Sequence, residues 1–428
     1  MINMVCAFDY PKDKLVIQVL DDSTDETTEI VARRVEHFRS LGYNVQMLHR
    51  DDRTGFKAKA LAGGLAETDA EFIAVFDADF MPPPYFLKRV IPQFSRDPRI
   101  GMVQTRWGHS NRDANLLTRT QALFLDGHQV VEQVARSRSD LLLNFNGSGG
   151  VWRTACLRDS GGWNWDTLAE DIDISYRAQL KGWKLVFLPD FIIPAEIPLT
   201  MTAFKKQQNR WTFGHIQVFL KLIGRIWSVP RLTLAQRLGA TFHLSTNFIQ
   251  VAGLISFLLT VPLALIHPKE PPSLGLISLA SAGPTILFAV SQIFGYQDGF
   301  KRTLDRLLHL PLLCLVAVGL TLSNSLSVIG AVTGSKMVWS VTPKNPQKLH
   351  AGNSGQNASF SAPPMVWFEI LLSLYCTAAL SISLVHAHEF IAVSALGMLS
   401  YGYVGFTGLV ESGQPPKKTS TSIQMVQQ

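Results

Sequence analysis

A chain of 428 residues with a formal charge of +6 and a hydrophobic fraction of 47% has room for two or three domains. Its four cysteines, Cys6, Cys156, Cys314 and Cys376, form no C-x-x-C pair and two of them fall in apolar runs, which argues against a zinc site and a disulfide framework. The basic excess clusters beside the apolar runs, which fits a membrane surface better than nucleic acid, and residues 1–20 lack the pattern of a signal peptide.

In chain order, Leu15–Leu20 reads as a strand ending at Asp21-Asp22. A helix is expected from Asp25 to Arg39, capped by Ser23 or Thr24 and stopped by Gly42. Asn44–His49 reads as a second strand and Ala58–Ala66 as a helix. Phe72–Phe76 is a continuous apolar strand, expected to be covered on both faces, that delivers Asp77-Ala78-Asp79. Ile100–Gln104 reads as a further strand and Asn115–Ser137 as one long helix. Strands alternating with helices predict an α/β domain with a mostly parallel sheet, whose ligands gather beyond the carboxyl ends of the strands.

After Pro198 the character changes. Ala203–Ile226 mixes basic and aromatic residues at helical length, as in helices lying in a membrane interface. Apolar runs of spanning length follow at about 238–266, 274–294, 307–334, 366–386 and 390–410. Five full spans would send basic residues to the wrong side of the bilayer. The stretch 307–334 carries Pro311, Gly319, Asn324 and Gly330, so four full spans plus one irregular segment are expected.

Four polar patches stand before these runs. Asp77 and Asp79 are spaced to reach a divalent ion and the ribose or diphosphate of a nucleotide sugar, although such a pair is also a common solvated turn. Asp21-Asp22 offers carboxylates to a uracil or ribose, or simply caps the next helix. Glu170-Asp171 opens a helix, where acids suit the dipole; the functional alternative makes Asp171 a general base toward an acceptor hydroxyl. Gln207-Gln208-Asn209-Arg210-Trp211 offers an arginine fork for a diphosphate and a flat indole for a sugar ring, or else a membrane anchor. Lys57, beside Gly55, is placed to touch phosphate. His243, Asn247 and Gln250 fall at helical spacing and are expected to bond neighbouring helices rather than line a polymer path.

The order Asp-Asp, Asp-x-Asp, Glu-Asp, Gln-x-x-Arg-Trp, followed by membrane helices, resembles the processive glycosyltransferases of family 2, which include cellulose, chitin and hyaluronan synthases. The nearest group is the cellulose-synthase-like one that holds glucomannan 4-β-mannosyltransferases. The resemblance rests on "VIQVLDDSTDET", "DDRTGFKAKAL", "FDADFMPPPYFL", "FNGSGGVWR", "LAEDIDISYRAQLKGWK" and "QQNRW", and more loosely on "WSVTPK", which is similar to a gating loop. It implies a GT-A-like domain over 1–198, interfacial helices over 199–235, a transmembrane region of four to five helices over 236–411 with a gating-like loop at 335–365, and a disordered tail over 412–428.

By position, the resemblance implies that Asp21, Asp22 and Lys57 hold the nucleotide and that Asp77 and Asp79 hold diphosphate and Mg²⁺ or Mn²⁺. Asp171 is then the base, Gln207 and Arg210 steady the diphosphate, and Glu170, Trp211, Asn146 and Gly147 border the acceptor. The implied activity is inverting transfer from a UDP- or GDP-sugar to a growing β-linked glucan or mannan. The implied place is the plasma (inner) membrane with a cytoplasmic catalytic domain, further synthase subunits as candidate partners, and no nucleic acid. Two rival functions are a non-processive lipid-linked glycosyltransferase and an inactive truncated membrane subunit.

Two departures stand out. The family's Thr-Glu-Asp reads Ala169-Glu170-Asp171, with Thr167 as a candidate replacement hydroxyl. The chain also starts after the position of the family's first membrane helix and central first strand, which reads as a miscalled start or a truncated gene.

Overall fold

The computed structural model describes residues 1–266, 274–335 and 363–413. The segment "WSVTPK", all but the first and last few residues of the loop 335–365, and the tail beyond 413 lie outside them.

The first half alternates strands and helices. After a short helix α1 (Ile2–Cys6), the chain forms β1 (Val16–Asp21), α2 (Thr27–Ser40), β2 (Asn44–His49), α3 (Phe56–Ala66) and β3 (Phe72–Val75). It continues through α4 (Phe86–Val90), β4 (Ile100–His109), α5 (Leu116–Asp126) and α6 (Gln133–Arg138). The domain closes with β5 (Gly150–Arg153), α7 (Thr154–Asp159), α8 (Glu170–Lys181) and β6 (Lys184–Ala195). Gly42 ends α2 as expected, at φ 80°. The cap differs: Glu26 is the N-cap without a side-chain bond, and Asp25 instead accepts from the Thr27 N–H at 3.0 Å.

The strands form two sheets rather than one. β1 pairs in parallel with β2, while the other sheet runs β3-β5-β4-β6. β4 and β6 are parallel, but β5 is antiparallel to both of its neighbours. The expectation of a mostly parallel sheet therefore corrects to a mixed one. The connection from β4 to β5 passes through α5 and α6 yet returns the chain antiparallel, so these helices do not form a parallel crossover. Among the described residues no ladder joins β1 to β3, and both strands line one large cavity. β3 is accordingly half-buried over Phe72–Ala74, not covered on both faces.

Two apolar clusters hold the larger sheet between helices. One joins Met102, Phe145, Trp152, Cys156, Ile174 and Phe187; the other joins Phe86, Val90, Val103, Val151 and Ile193. Trp152 is fully buried, edge-on to Phe145. Burying such side chains contributes about 2–3 kcal/mol each before entropy is counted.

The expected helix 115–137 is interrupted. Asn115 caps α5 with a reciprocal box to Thr118, but a π-helical turn, Gly127–Glu132, separates α5 from α6. Such turns re-aim side chains and often mark functional sites.

The basic–aromatic stretch is one helix, α9 (Met201–Ser228). The first apolar run breaks into α10 (Leu234–Ser245) and α11 (Phe248–Ile266). His243, Asn247 and Gln250 therefore do not share one helix face: Asn247 sits at the break. Then come α12 (Leu274–Phe294), α13 (Phe300–Leu307), α14 (Leu310–Gly319) and α15 (Thr321–Val332). Helices Pro364–His386 and Ile391–Gly413 finish the described chain.

Among the described residues, three helices are long and apolar enough to cross a bilayer: Phe248–Ile266, Pro364–His386 and His388–Gly413. A fourth crossing arises if Phe300–Gly319 and Thr321–Val332, bent by 42°, count as one span. That bent pair covers the stretch expected to be irregular.

Buried polar bonds tie the two halves together. Asp126 accepts from Gln292 Nε2 at 3.1 Å and from the Tyr296 hydroxyl at 2.8 Å. Lys205 on α9 pairs with fully buried Glu369. Glu411 accepts from the Met201 and Thr202 N–H groups at 2.6 and 2.9 Å, which closes the N-terminus of α9.

Candidate active site

A cavity of about 2440 Å³ opens between the two sheets and continues between α9, α10, α11, α12, α14 and α15. All twelve site residues that the resemblance implies line it: Asp21, Asp22, Lys57, Asp77, Asp79, Asn146, Gly147, Glu170, Asp171, Gln207, Arg210 and Trp211.

Asp21 ends β1 and is buried. Its carboxylate meets His49 Nδ1 at 2.7 Å and accepts from the Ser23 N–H at 3.3 Å. Burial opposes its charge, but the Ser23 and His49 bonds hold it below the usual carboxylate range. Asp22 forms a bidentate pair with Arg50 (Nε–Oδ1 2.8 Å), and Arg50 also donates to the Phe56 carbonyl at 3.0 Å. His49 and Arg50 were not singled out in the sequence. Their position at and just past a strand's carboxyl end was the available signal.

Gly55, at φ 72°, starts α3 and lets it approach Trp165. That sets Lys57 between three segments. Its ammonium donates to Asp77 Oδ1 at 2.6 Å and to the Gly147 carbonyl at 2.8 Å. Burial alone would lower its pKa; Asp77, Glu170 and Asp171 together hold it above the usual lysine value.

Asp77 and Asp79 leave β3 on opposite sides of Ala78. The Asp77 N–H donates to Ser148 Oγ at 2.8 Å, and Asp79 Oδ2 accepts from the Glu196 N–H at 3.2 Å. Among the described residues no group of three or more His, Cys, Asp or Glu forms a cage. Two half-exposed carboxylates at one cavity wall suit a hard cation that takes its remaining ligands from phosphate and water, so the donor set fits Mg²⁺ or Mn²⁺.

Asp171 lies in the first turn of α8. Its Oδ1 accepts from the Ile172 N–H at 2.9 Å. Oδ2 faces Gly147, where a Cβ would come within 2.9 Å. Burial, and then the neighbouring Glu170 charge, push Asp171 up to about 7, although Lys57 opposes this. Glu170 is also raised, first by burial. A carboxyl tuned near neutrality is suited to receive a proton. Ala169 packs so closely on Gly214 of α9 that a Cβ on that glycine would lie 2.9 Å from it. Thr167 is buried and is not part of the cavity lining.

α9 supplies Gln207, Arg210 and Trp211. Burial lowers the pKa of Arg210 below the ordinary arginine value, against the opposing charges of Glu170, Asp77 and Asp171. Trp211 packs with Leu125 and Ile197, and its carbonyl meets His215 Nδ1 at 3.0 Å. Burial pushes His215 down to about 4, so it is neutral at pH 7.

His243, Asn247 and Gln250 also line the cavity. Two of them bond neighbouring helices as expected: His243 Nδ1 to the Tyr176 hydroxyl at 2.7 Å, and Asn247 Oδ1 from Thr212 at 3.4 Å.

The comparisons agree with this architecture. Residues 1–214 match the model of "Glycosyltransferase like family 2". A glucomannan 4-β-mannosyltransferase of Oryza sativa subsp. japonica is 33% identical over 378 residues, 86% of this chain and 70% of that protein. One from Arabidopsis thaliana is 42% identical over 229 residues, 53% of this chain and 43% of that protein. The chain spans about half the length of most curated relatives it matches. A mannosyltransferase from Pyrobaculum calidifontis, solved with GDP-Man and Mn²⁺, shares the fold at TM-score 0.50 and 19% identity, covering 76% of this chain and 81% of that one. With a GT-A-like domain, apolar helices behind it and these relatives, the chain belongs to glycosyltransferase-like family 2, in its cellulose-synthase-like group.

Proposed function

We propose that this protein is a membrane-bound inverting glycosyltransferase that polymerises a β-linked polysaccharide of the glucan or mannan type from a nucleotide-diphosphate sugar. The observation that carries the reading is the shared cavity: an acid–base carboxyl, an arginine and an indole meet there, and the same space runs on between apolar helices. The names of the relatives, glucomannan 4-β-mannosyltransferases, favour mannose as the sugar.

In this mechanism the nucleotide lies against Asp21, Asp22 and Lys57. Asp77 and Asp79 would hold Mg²⁺ or Mn²⁺, which supplies charge neutralisation on the diphosphate. Arg210, with Gln207, stabilises negative charge as the diphosphate departs. Trp211 stacks on the acceptor sugar, with Asn146, Gly147 and Glu170 beside it. Asp171, in its ionised form, takes the proton of the acceptor hydroxyl as that oxygen attacks the anomeric carbon. Attack opposite the leaving group turns an α-linked donor into a β-linkage. The bilayer is proposed to be the plasma membrane, with the catalytic domain on its cytoplasmic side.

Membranes holding the protein are incubated with radiolabelled GDP-mannose or UDP-glucose and Mg²⁺ or Mn²⁺. β-Linked oligomer or insoluble polymer from one donor, absent in Asp171→Asn, is the expected result. A single sugar transferred to lipid overturns processivity, and no transfer from either donor overturns the reading.

A further inference from the structure

Glu132 lies in the cavity wall outside every motif discussed above. It ends the π-helical turn between α5 and α6. That turn directs His128 and Glu132, four residues apart, to the same space, and both line the cavity. Glu132 Oε2 meets His128 Nδ1 at 2.9 Å. The carboxylate side chain is 41% exposed, so His128 does not exhaust its acceptor capacity.

The pair is tied to the catalytic wall. His128 Nε2 lies 3.2 Å from Asn146 Oδ1, and Gln133 on the next turn donates to the Asn144 carbonyl at 2.9 Å. Asn146 precedes Gly147, which abuts Asp171. The contacts Glu132–His128–Asn146 thus end one residue before Gly147, and Leu287 and Phe288 pack against Gly127 of the same turn, in the cavity that Trp211 and His215 also line. Burial opposes the Glu132 charge, yet the His128 bond and the Arg136 charge hold it below the usual glutamate range.

An ionised carboxylate with a free face, in a cavity that also holds an indole, has the chemistry of a sugar subsite: its oxygens accept from hydroxyls while an aromatic ring covers an apolar sugar face. We infer that Glu132, oriented by His128, is an acceptor-binding residue that receives adjacent hydroxyls of a β-linked hexose already in the chain. This rests on the proposed transferase reading. It adds an acidic contact on the acceptor side that no donor-binding step requires.

The test uses the full chain in detergent, with a β-1,4-linked hexose oligosaccharide as acceptor. Glu132→Gln, Glu132→Asp and His128→Gln are compared with wild type for acceptor KM, donor KM and donor hydrolysis in the absence of acceptor. Tryptophan fluorescence reports oligosaccharide binding without donor. Glu132→Gln is expected to raise acceptor KM and weaken binding about tenfold, with donor KM and hydrolysis within about twofold of wild type. Glu132→Asp and His128→Gln are expected to fall between. Unchanged oligosaccharide binding in Glu132→Gln, or equal losses in the donor and acceptor parameters, overturns the inference. Wild-type protein that binds oligosaccharide but transfers nothing overturns the transferase reading while leaving the subsite standing.

Discussion

Lys57 donates to Asp77 across 2.6 Å, so the ammonium of α3 already occupies an oxygen that would face the donor diphosphate. The pair is preorganised by Gly55 and the Gly147 carbonyl rather than by chance encounter of surface side chains.

Replacing that ammonium is the first prediction. Lys57→Met keeps the length but removes the charge, leaving Asp77, Glu170 and Asp171 in mutual repulsion. Donor kcat/KM is expected to fall about 100-fold, the scale of losing one preorganised electrostatic contact. Initial rates against donor concentration check it, and a loss under about threefold counts against a phosphate role.

Asp171 carries a pH prediction. Its folded value of about 7 lies above the ordinary aspartate range, so kcat/KM is expected to rise as pH climbs through 7 and the base ionises. The stability sign is opposite. The folded state holds this proton more tightly than the unfolded chain, so the favourable contribution is present at low pH and is lost as pH rises through 7. Asp171→Asn should therefore abolish transfer yet stabilise the fold at about pH 8 by roughly 1–2 kcal/mol, discounted for the partly exposed carboxylate. Melting curves at about pH 8 and pH 5 check this: the gain should shrink at the lower value.

Gly147 should not tolerate a side chain. At φ 83° an alanine is strained by about 1 kcal/mol, and its Cβ would sit 2.9 Å from Asp171 Oδ2. Gly147→Ala is expected to cost about 10- to 100-fold in kcat through displacement of the base. Donor affinity measured by isothermal titration should change far less. Equal losses in both would point to general misfolding.

Lys205 and Glu369 predict non-additivity. Lys205→Met leaves Glu369 buried without its cation and should cost about 3 kcal/mol. Adding Glu369→Leu should return most of that, because the lone buried charge is gone. Thermal unfolding of the two variants in detergent decides: a double variant no better than the single one would show that the pair itself stabilises the helix contact.

The local elements were legible because each is written in neighbouring residues. β2 matches its expected bounds of Asn44–His49, and Gly42 stops α2 where a left-handed residue is needed. The three carboxylate patches were also legible, since strand ends and a helix start carry their side chains to one rim of an α/β sheet. What the sequence did not display was any feature set by partners far along the chain. Asp22 is engaged by Arg50 and Asp79 by the Glu196 backbone. Glu411, about 210 residues downstream, closes the start of the helix that carries Arg210 and Trp211.

Residue order by itself determined which groups the chain offers: carboxylates, a lysine and an Arg-Trp pair before a block of apolar helices. Tertiary structure alone decided that they share one cavity, that the sheet divides between β1 and β3, that the first apolar run breaks at Asn247, and that a π-helical turn brings His128 and Glu132 to the same wall. Periodicity reports which face of an element is apolar. Ladder partners, helix breaks and cavity walls depend on what packs against that face, and those contacts come from segments the local pattern cannot see.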